Sequence, residues 1–345
     1  MICTTDRWET GWHGSAIVNL PTTNSWTAQP LTSSRNITVS NITAVAYYAG
    51  IPPNNHNMEK PQILNYFCQG VIASGDTAIA HTGMNAVPCD VALIQGFVHE
   101  HGKSAPHLQL RQNAVDLQKL TNKRSLIVDS NLFLYADKSN PLHYLRYSFD
   151  GVFPTTGFYF DRDVDPTRWE QISRDLGIRL KPWRTQGNHI LICLQRNGGW
   201  SMRGLDVIEW MNSTILEIRK YSKRPIVVRA HPGDKKIGKY LKVNHKSVSL
   251  STRSDLREDL YNAWATVVYN SSPSVASIIE GIPAFLTDPQ PQHSQSIAVA
   301  NTDISRIEDP LMVDRQAWIE RLSMCHWKFD ELKSGTAWQF FKRYI

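Results

Sequence analysis

Short apolar runs that stop abruptly at Gly, Pro, Asn or Ser, separated by stretches of helical period, recur along most of this chain and constrain its fold more than any other feature. In the second half four of them follow one another: HILICLQ (189–195), PIVVRA (225–230), TVVYN (266–270) and PAFLT (283–287). Runs so brief and so uniformly apolar suit strands buried on both faces, the situation in a parallel sheet covered by helices. The covering helices are supplied by LDVIEWMNSTILEIRKY (205–221), DLREDLYNAW (255–264) and SPSVASIIEG (272–281), and SVSLS (247–251) adds a strand.

The first half follows the same plan. TAVAYYAG from Thr43 is a buried strand, EKPQILNYFCQGVIASG a helix stopped at Gly75, and TAIAH (77–81) and CDVALIQGFVHE (89–100) are strands. HLQLRQNAVDLQKL (107–120) is a helix and RSLIVDSNLFLY (124–135) a strand. Each half therefore predicts a doubly wound, Rossmann-like α/β domain. A length of 345 residues also fits two domains better than one. The expected division is 1–187, including an irregular lead-in over 1–42, then 188–313, then a helical tail over 314–345. Residues 136–187, rich in turn formers, read as the connection.

Composition narrows the function. Hydrophobic residues at 41% and charged residues at 20% describe an ordinary globular protein rather than a disordered one. Five scattered cysteines without CxxC spacing suggest neither a disulfide framework nor a zinc site. No apolar run approaches the roughly 20 residues of a membrane span, and the first residues lack the plan of a signal peptide, so no membrane partner and a cytoplasmic location are expected. A net charge of +6 favours anionic ligands.

In an open parallel sheet ligands bind beyond the carboxyl ends of the strands. Three segments of the second half place donors there. Arg196-Asn197-Gly198-Gly199-Trp200-Ser201-Met202-Arg203 follows the first strand, its glycines allowing close backbone approach and Arg203 offering a fork for phosphate. Arg229 and His231 close the second strand before Pro232-Gly233 turns the chain away. Ser271 and Ser272 open a helix after the TVVYN strand, with Pro273 where its missing N–H costs nothing. Each has a plain structural alternative, as a turn, a strand-ending histidine or a serine cap; together they predict one anion-binding crevice.

This order of strand, glycine loop, HP after an arginine-ended strand, and SS opening a helix that ends EGIP resembles the donor-binding domain of GT-B glycosyltransferases. The HP and SS pair is similar to that of bacterial sialyltransferases and capsule Kdo transferases. A looser likeness to glycosyltransferases of tailed phages, which modify DNA, is carried by LICLQRNGGWSMRG, VVRAHPGD and the tail DRQAWIERLSMCHWKFDELKSGTAW. The resemblance implies a GT-B fold, two Rossmann-like domains facing a central cleft, with the C-terminal helices of 314–345 crossing back to the first domain. It implies transfer of a sugar from a nucleotide-sugar, a UDP-sugar in preference to a CMP-sugar, without a bound metal or other cofactor. Gly198, Gly199, Ser201, Arg203, Arg229, His231, Ser271 and Ser272 would bind the donor, with Lys235 and Lys236 as auxiliaries. The position of the ribose-binding glutamate is Ser277, which leaves the neighbouring Glu280 for that role.

An inverting transfer needs a general base from the first domain's strand ends. Asp129 in LIVDSN is the first candidate, His99 beside Glu100 and His101 the second, and Asp150 in SFDG the third, with Asp76 also considered. Asp161-Arg162-Asp163 has the spacing of a metal motif but reads as a turn. The favoured acceptor is a hydroxymethylated or hydroxylated pyrimidine in phage DNA, on which Trp169, Trp183-Arg184 and Trp200 could stack. The alternatives are a surface-polysaccharide acceptor and a non-catalytic nucleotide- or DNA-binding module.

Overall fold

A computed structural model describes residues 41–49, 59–96, 105–133, 140–197, 200–243 and 245–345, with the backbone alone at 59–61 and 200. In chain order the elements are β1 (Thr43–Tyr47), α1 (Glu59–Ala73), β2 (Thr77–His81), β3 (Val91–Gln95), α2 (Pro106–Leu120), β4 (Arg124–Asp129), β5 (Leu145–Phe149) and α3 (Pro166–Leu176). There follow β6 (His189–Cys193), α4 (Val207–Tyr221), β7 (Ile226–Arg229), α5 (Ile237–Tyr240), β8 (Val248–Leu250), α6 (Leu256–Leu260), β9 (Ala263–Val268), α7 (Pro273–Ile279) and β10 (Ala284–Leu286). The last elements are α8 (Gln316–Ser323), β11 (His326–Trp327), α9 (Phe329–Lys333) and α10 (Thr336–Phe341).

The strands form two sheets, ordered β11-β5-β4-β3-β1-β2 and β10-β9-β6-β7-β8. The second is parallel throughout. Its chain leaves β6 toward β7 on one side and returns to β9 on the other, so the winding reverses between β6 and β9. The first sheet reverses between β1 and β3 in the same way. At such switch points the helices diverge to opposite faces and leave a crevice at the strands' carboxyl ends.

The stretch expected to be an irregular connection holds two regular elements. α3 starts at Pro166 behind Asp165, whose carboxylate accepts the Thr167 amide at 3.0 Å, and stops at Gly177 in the left-handed region (φ 62°). Those are ordinary helix boundaries, hidden in the sequence among other turn formers. β5 runs antiparallel to β4, so the first sheet is mixed rather than purely parallel. Its LRYSF carries an arginine and a serine on a fully buried strand because Arg146 finds Asp129 across the ladder.

Residues from far down the chain complete the first sheet. β11 pairs with β5, and the core around β1, β3, β4 and α1 includes Phe329, Trp338 and Phe341. Trp338 donates its indole N–H to Asp76 at 2.6 Å, which accounts for that carboxylate structurally. α1 and α9 touch so closely at Gly70 that a Cβ there would lie 1.9 Å from the Leu332 carbonyl oxygen. A separate core of β6, β7, β9 and α4 side chains fills one face of the second sheet. Among the described residues no helix is long and apolar enough to cross a membrane.

Candidate active site

The switch point of the second sheet is bound by a buried polar network. Gln195, just past β6, accepts the Asn270 amide at 3.2 Å and donates to the Ser201 hydroxyl at 2.7 Å. Asn270, just past β9, donates to Asp288 at 2.7 Å. Asp288, beyond β10, also receives two contacts from Arg203 at 2.8 and 2.7 Å and the Gln290 amide at 2.8 Å. Strand ends of β6, β9 and β10 and the loop carrying Ser201 and Arg203 are thereby tied together. The side chain of Asp288 is wholly shielded from water, so its charge is neutralised inside the protein by that arginine and these donors.

On the other side of β6, His231 ends the β7 strand. Its Nδ1 accepts the Gly233 amide at 3.0 Å, and a Cβ on Gly233 would stand 3.1 Å from the ring's Cε1. The Pro-Gly that follows thus does more than turn the chain: it brings the Gly233 amide back onto the ring, where a Cβ would press on it closely. Burial, then the nearby Arg196 cation, push the imidazole below its ordinary pKa against the pull of Asp234. A neutral ring that accepts at Nδ1 carries its proton on Nε2, which has no partner among the described residues. The loop after β6 reaches this turn as well, the Asn197 amide donating to Asp234 at 3.2 Å.

Ser271 and Ser272 sit where β9 gives way to α7. The Ser271 hydroxyl oxygen is shielded from water and has no hydrogen-bond partner among the described residues, while Ser272 is exposed and makes no side-chain cap. Just past the carboxyl ends of β9, β6 and β7, in that spatial order, lie Ser271, Arg196 and His231. Adjacent strands are about 4.8 Å apart, so the ends of β9 and β7 stand about 10 Å from each other across β6.

Three residues expected to bind the donor are otherwise engaged. Arg229 is almost buried, pairs with Asp259 and donates to the carbonyls of Arg253, Asp255 and Ser254. Arg203 is held by Asp288. Glu280 lies at the far end of α7 from Ser272 and pairs with Lys181, and Ser277 is buried against Thr266 at 2.8 Å. Arg196, by contrast, is exposed and has no ion pair among the described residues, and its charge acts on His231. Sequence pattern favoured the arginine after the glycines and the one on the strand, and it could not foresee that Asp288 and Asp259 would claim them. Lys235 and Lys236 are exposed; Gly198 and Gly199 lie outside the described residues.

The base candidates separate by sheet geometry. Asp129 ends β4 at the carboxyl edge, one oxygen receiving Arg146 at 2.6 Å and the other the Ser130 amide at 2.8 Å, with about a third of its side chain open to solvent. Asp150 stands at the opposite edge because β5 is antiparallel: it binds the Ser125 amide at 2.9 Å and Arg124 at 2.6 Å beside the start of β4. That removes it from the crevice. His99, Glu100 and His101 lie outside the described residues. Asp161 and Asp163 face Arg321 and Tyr344.

The aromatic residues offered for base stacking are part of the framework. Trp169 is buried, and Trp183 donates to the Val313 carbonyl at 2.9 Å with the Arg315 guanidinium 3.9 Å above its ring. Arg184 donates to the carbonyls of Leu260 and Ala263. The side chain of Trp200 lies outside the described residues.

No protein-family model and no curated protein matches the sequence. Among solved structures the chain is similar to the beta Kdo 2,4 transferase of KpsC from Thermosulfurimonas dismutans, with a TM-score of 0.51 and 14% identity over 82% of this chain and 89% of that one. The beta Kdo 2,7 transferase of KpsC from the same organism gives a TM-score of 0.47 and 12% identity, covering 88% and 100%. The glycosyltransferase SnogD from Streptomyces nogalater gives 0.30 and 10%, covering 88% and 99%. The fold is GT-B, with two Rossmann-like α/β domains.

Proposed function

We propose that the protein is a glycosyltransferase that takes its sugar from a nucleotide-sugar and holds the nucleotide's phosphate at the carboxyl edge of β9, β6 and β7. The observation that carries this is the set of donors at those strand ends with no partner among the described residues: His231 Nε2–H on a ring held by the Gly233 amide, the Ser271 hydroxyl, and Arg196. Negative charge grows on the phosphate as the glycosidic bond breaks. Donors already in place stabilise it without reorganisation, commonly the largest catalytic contribution. Asp129 is the group on the first sheet placed to take the acceptor's proton, its orientation set by Arg146 and the Ser130 amide.

α7 carries no carboxylate for a ribose diol, a group that CMP- and UDP-sugars share, so neither type of donor is favoured over the other. For the acceptor, a sugar hydroxyl of a surface polysaccharide is supported by the likeness to a Kdo transferase. A modified pyrimidine in DNA retains the net charge of +6 as support but loses the stacking of Trp169 and Trp183. The test is release of nucleotide from CMP- and UDP-sugars, with oligosaccharide or hydroxymethylated DNA as acceptor. His231→Ala is expected to lower kcat by about 10²- to 10³-fold. Release of nucleotide from no donor, or full turnover in His231→Ala, would overturn the assignment.

A further inference from the structure

The first sheet has a switch point of its own, between β1 and β3, and the groups gathered there have no part in the reaction above. Gly96, the first residue past β3, has φ 84° and donates its amide to the Val128 carbonyl at 2.8 Å. The space its missing side chain leaves is taken by Arg111 of α2, whose Nη1 lies 3.2 Å from where a Cβ would be. The guanidinium is thus laid against the carboxyl end of β3, one strand from Asp129. It has no hydrogen-bond or ion-pair partner among the described residues, although burial alone pushes its pKa down. Arg124, Arg146, Arg168, Arg203 and Arg229 each hold a carboxylate.

Two further polar atoms at the same edge are shielded from water and have no partner among the described residues: Asn131 Nδ2 just past β4 and, on the face of β3 opposite Arg111, Gln95 Oε1. Asn131 is not merely loose, since its Oδ1 accepts the Phe133 amide at 2.8 Å. A desolvated cation and a donor, both unmatched at neighbouring strand ends, form an arrangement native proteins keep where a ligand completes it. We propose that Arg111 receives an anionic group of the acceptor, a carboxylate or a phosphate ester, while Asn131 binds a hydroxyl of the same molecule. An acceptor anchored this way lies along the edge that carries Asp129. The identification of the bound molecule as acceptor rests on the proposed glycosyl transfer; the anion site rests on the geometry alone.

The experiment is an NMR-detected titration of the whole chain, without donor, with methyl β-D-glucuronide, glucose 6-phosphate and neutral methyl β-D-glucoside. An anionic probe is expected to bind about tenfold more tightly than the neutral one, because charge-assisted bonds to a guanidinium are the strong ones. Tighter glucuronide binding identifies a carboxylate, tighter glucose 6-phosphate a phosphate. Arg111→Gln abolishes the preference, whereas Arg179→Gln, which removes an exposed charge elsewhere, keeps it. Equal binding of all three probes by the native chain, or a preference that survives Arg111→Gln, refutes the proposal. Should Arg111→Gln not fold, Arg111→Lys is read instead: a point charge without the fork loses most of the preference, and a lysine variant indistinguishable from the native chain counts against it. A native chain that shows the Arg111-dependent preference but releases nucleotide from no donor keeps the anion site and loses the reaction.

Discussion

His326 sets a limit on how far the protein survives acid. The ring is completely buried; its Nδ1 donates to the Leu322 carbonyl at 2.9 Å and its Nε2 accepts the Leu132 amide at 3.3 Å. Protonating Nε2 would set it against a donor amide. Burial lowers its pKa most, the Leu322 bond opposes, and Arg146 and Arg168 add to the depression, bringing it from 6.5 to about 3. In the unfolded chain the ring takes its proton as pH falls through 6.5, while in the folded chain it stays neutral to about 3. Full stability is therefore present above 6.5 and is lost progressively between 6.5 and 3. The slope is about 1.4 kcal/mol per pH unit, and the total on the order of 5 kcal/mol. Urea denaturation at intervals from pH 7.5 to 4.5 reads this directly. Carboxylates add their own slope, so the comparison is with His326→Gln, which cannot titrate: less stable at pH 7.5, it should fall less steeply, and the two curves should converge toward pH 4.5. Parallel curves, or a His326 ring resonance that titrates near pH 6, would refute the reasoning.

Other outcomes follow from the same contacts. Gly70→Ala forces α1 and α9 apart at the Leu332 carbonyl and should cost about 2 to 3 kcal/mol, read as a lowered Tm; an unchanged Tm would mean the helices are not in contact there. Asp288→Ala strands Arg203 and Asn270 and should cost about 3 kcal/mol. Arg196→Ala should leave stability within about 0.5 kcal/mol of the native value yet weaken nucleotide-sugar binding about tenfold by calorimetry. Asp129→Asn leaves the buried Arg146 facing a neutral amide, so both turnover and stability should drop. Adding Arg146→Met should restore stability without turnover, and recovery of both would remove Asp129 from the reaction.

The parts of the fold legible in the sequence are those whose signal is local. HILICLQ, PIVVRA and TVVYN became β6, β7 and β9 because uninterrupted apolar runs have few other uses, and the helix of 205–221 was visible from its period. β5 and α3 were hidden because LRYSF draws its pairing from Asp129 and the α3 boundaries lie among other turn residues. At the site, the placement of His231 and Ser271 at strand ends could be read directly, since strand ends are where apolar runs stop. Which arginines remain available could not be, because Asp259 and Asp288 lie 30 and 85 residues along the chain from the arginines they hold. The antiparallel turn of β5, which carries Asp150 to the wrong edge, was equally out of reach of pattern.

The second sheet is assembled from one contiguous stretch, residues 189–286, whereas the first is finished by His326–Trp327 and its interior by Trp338 and Phe341. On a ribosome the segment made earlier must therefore wait, its apolar strands unsealed, until residues 326–341 have emerged. The later-made half can close first, and it becomes the platform on which the earlier half is completed.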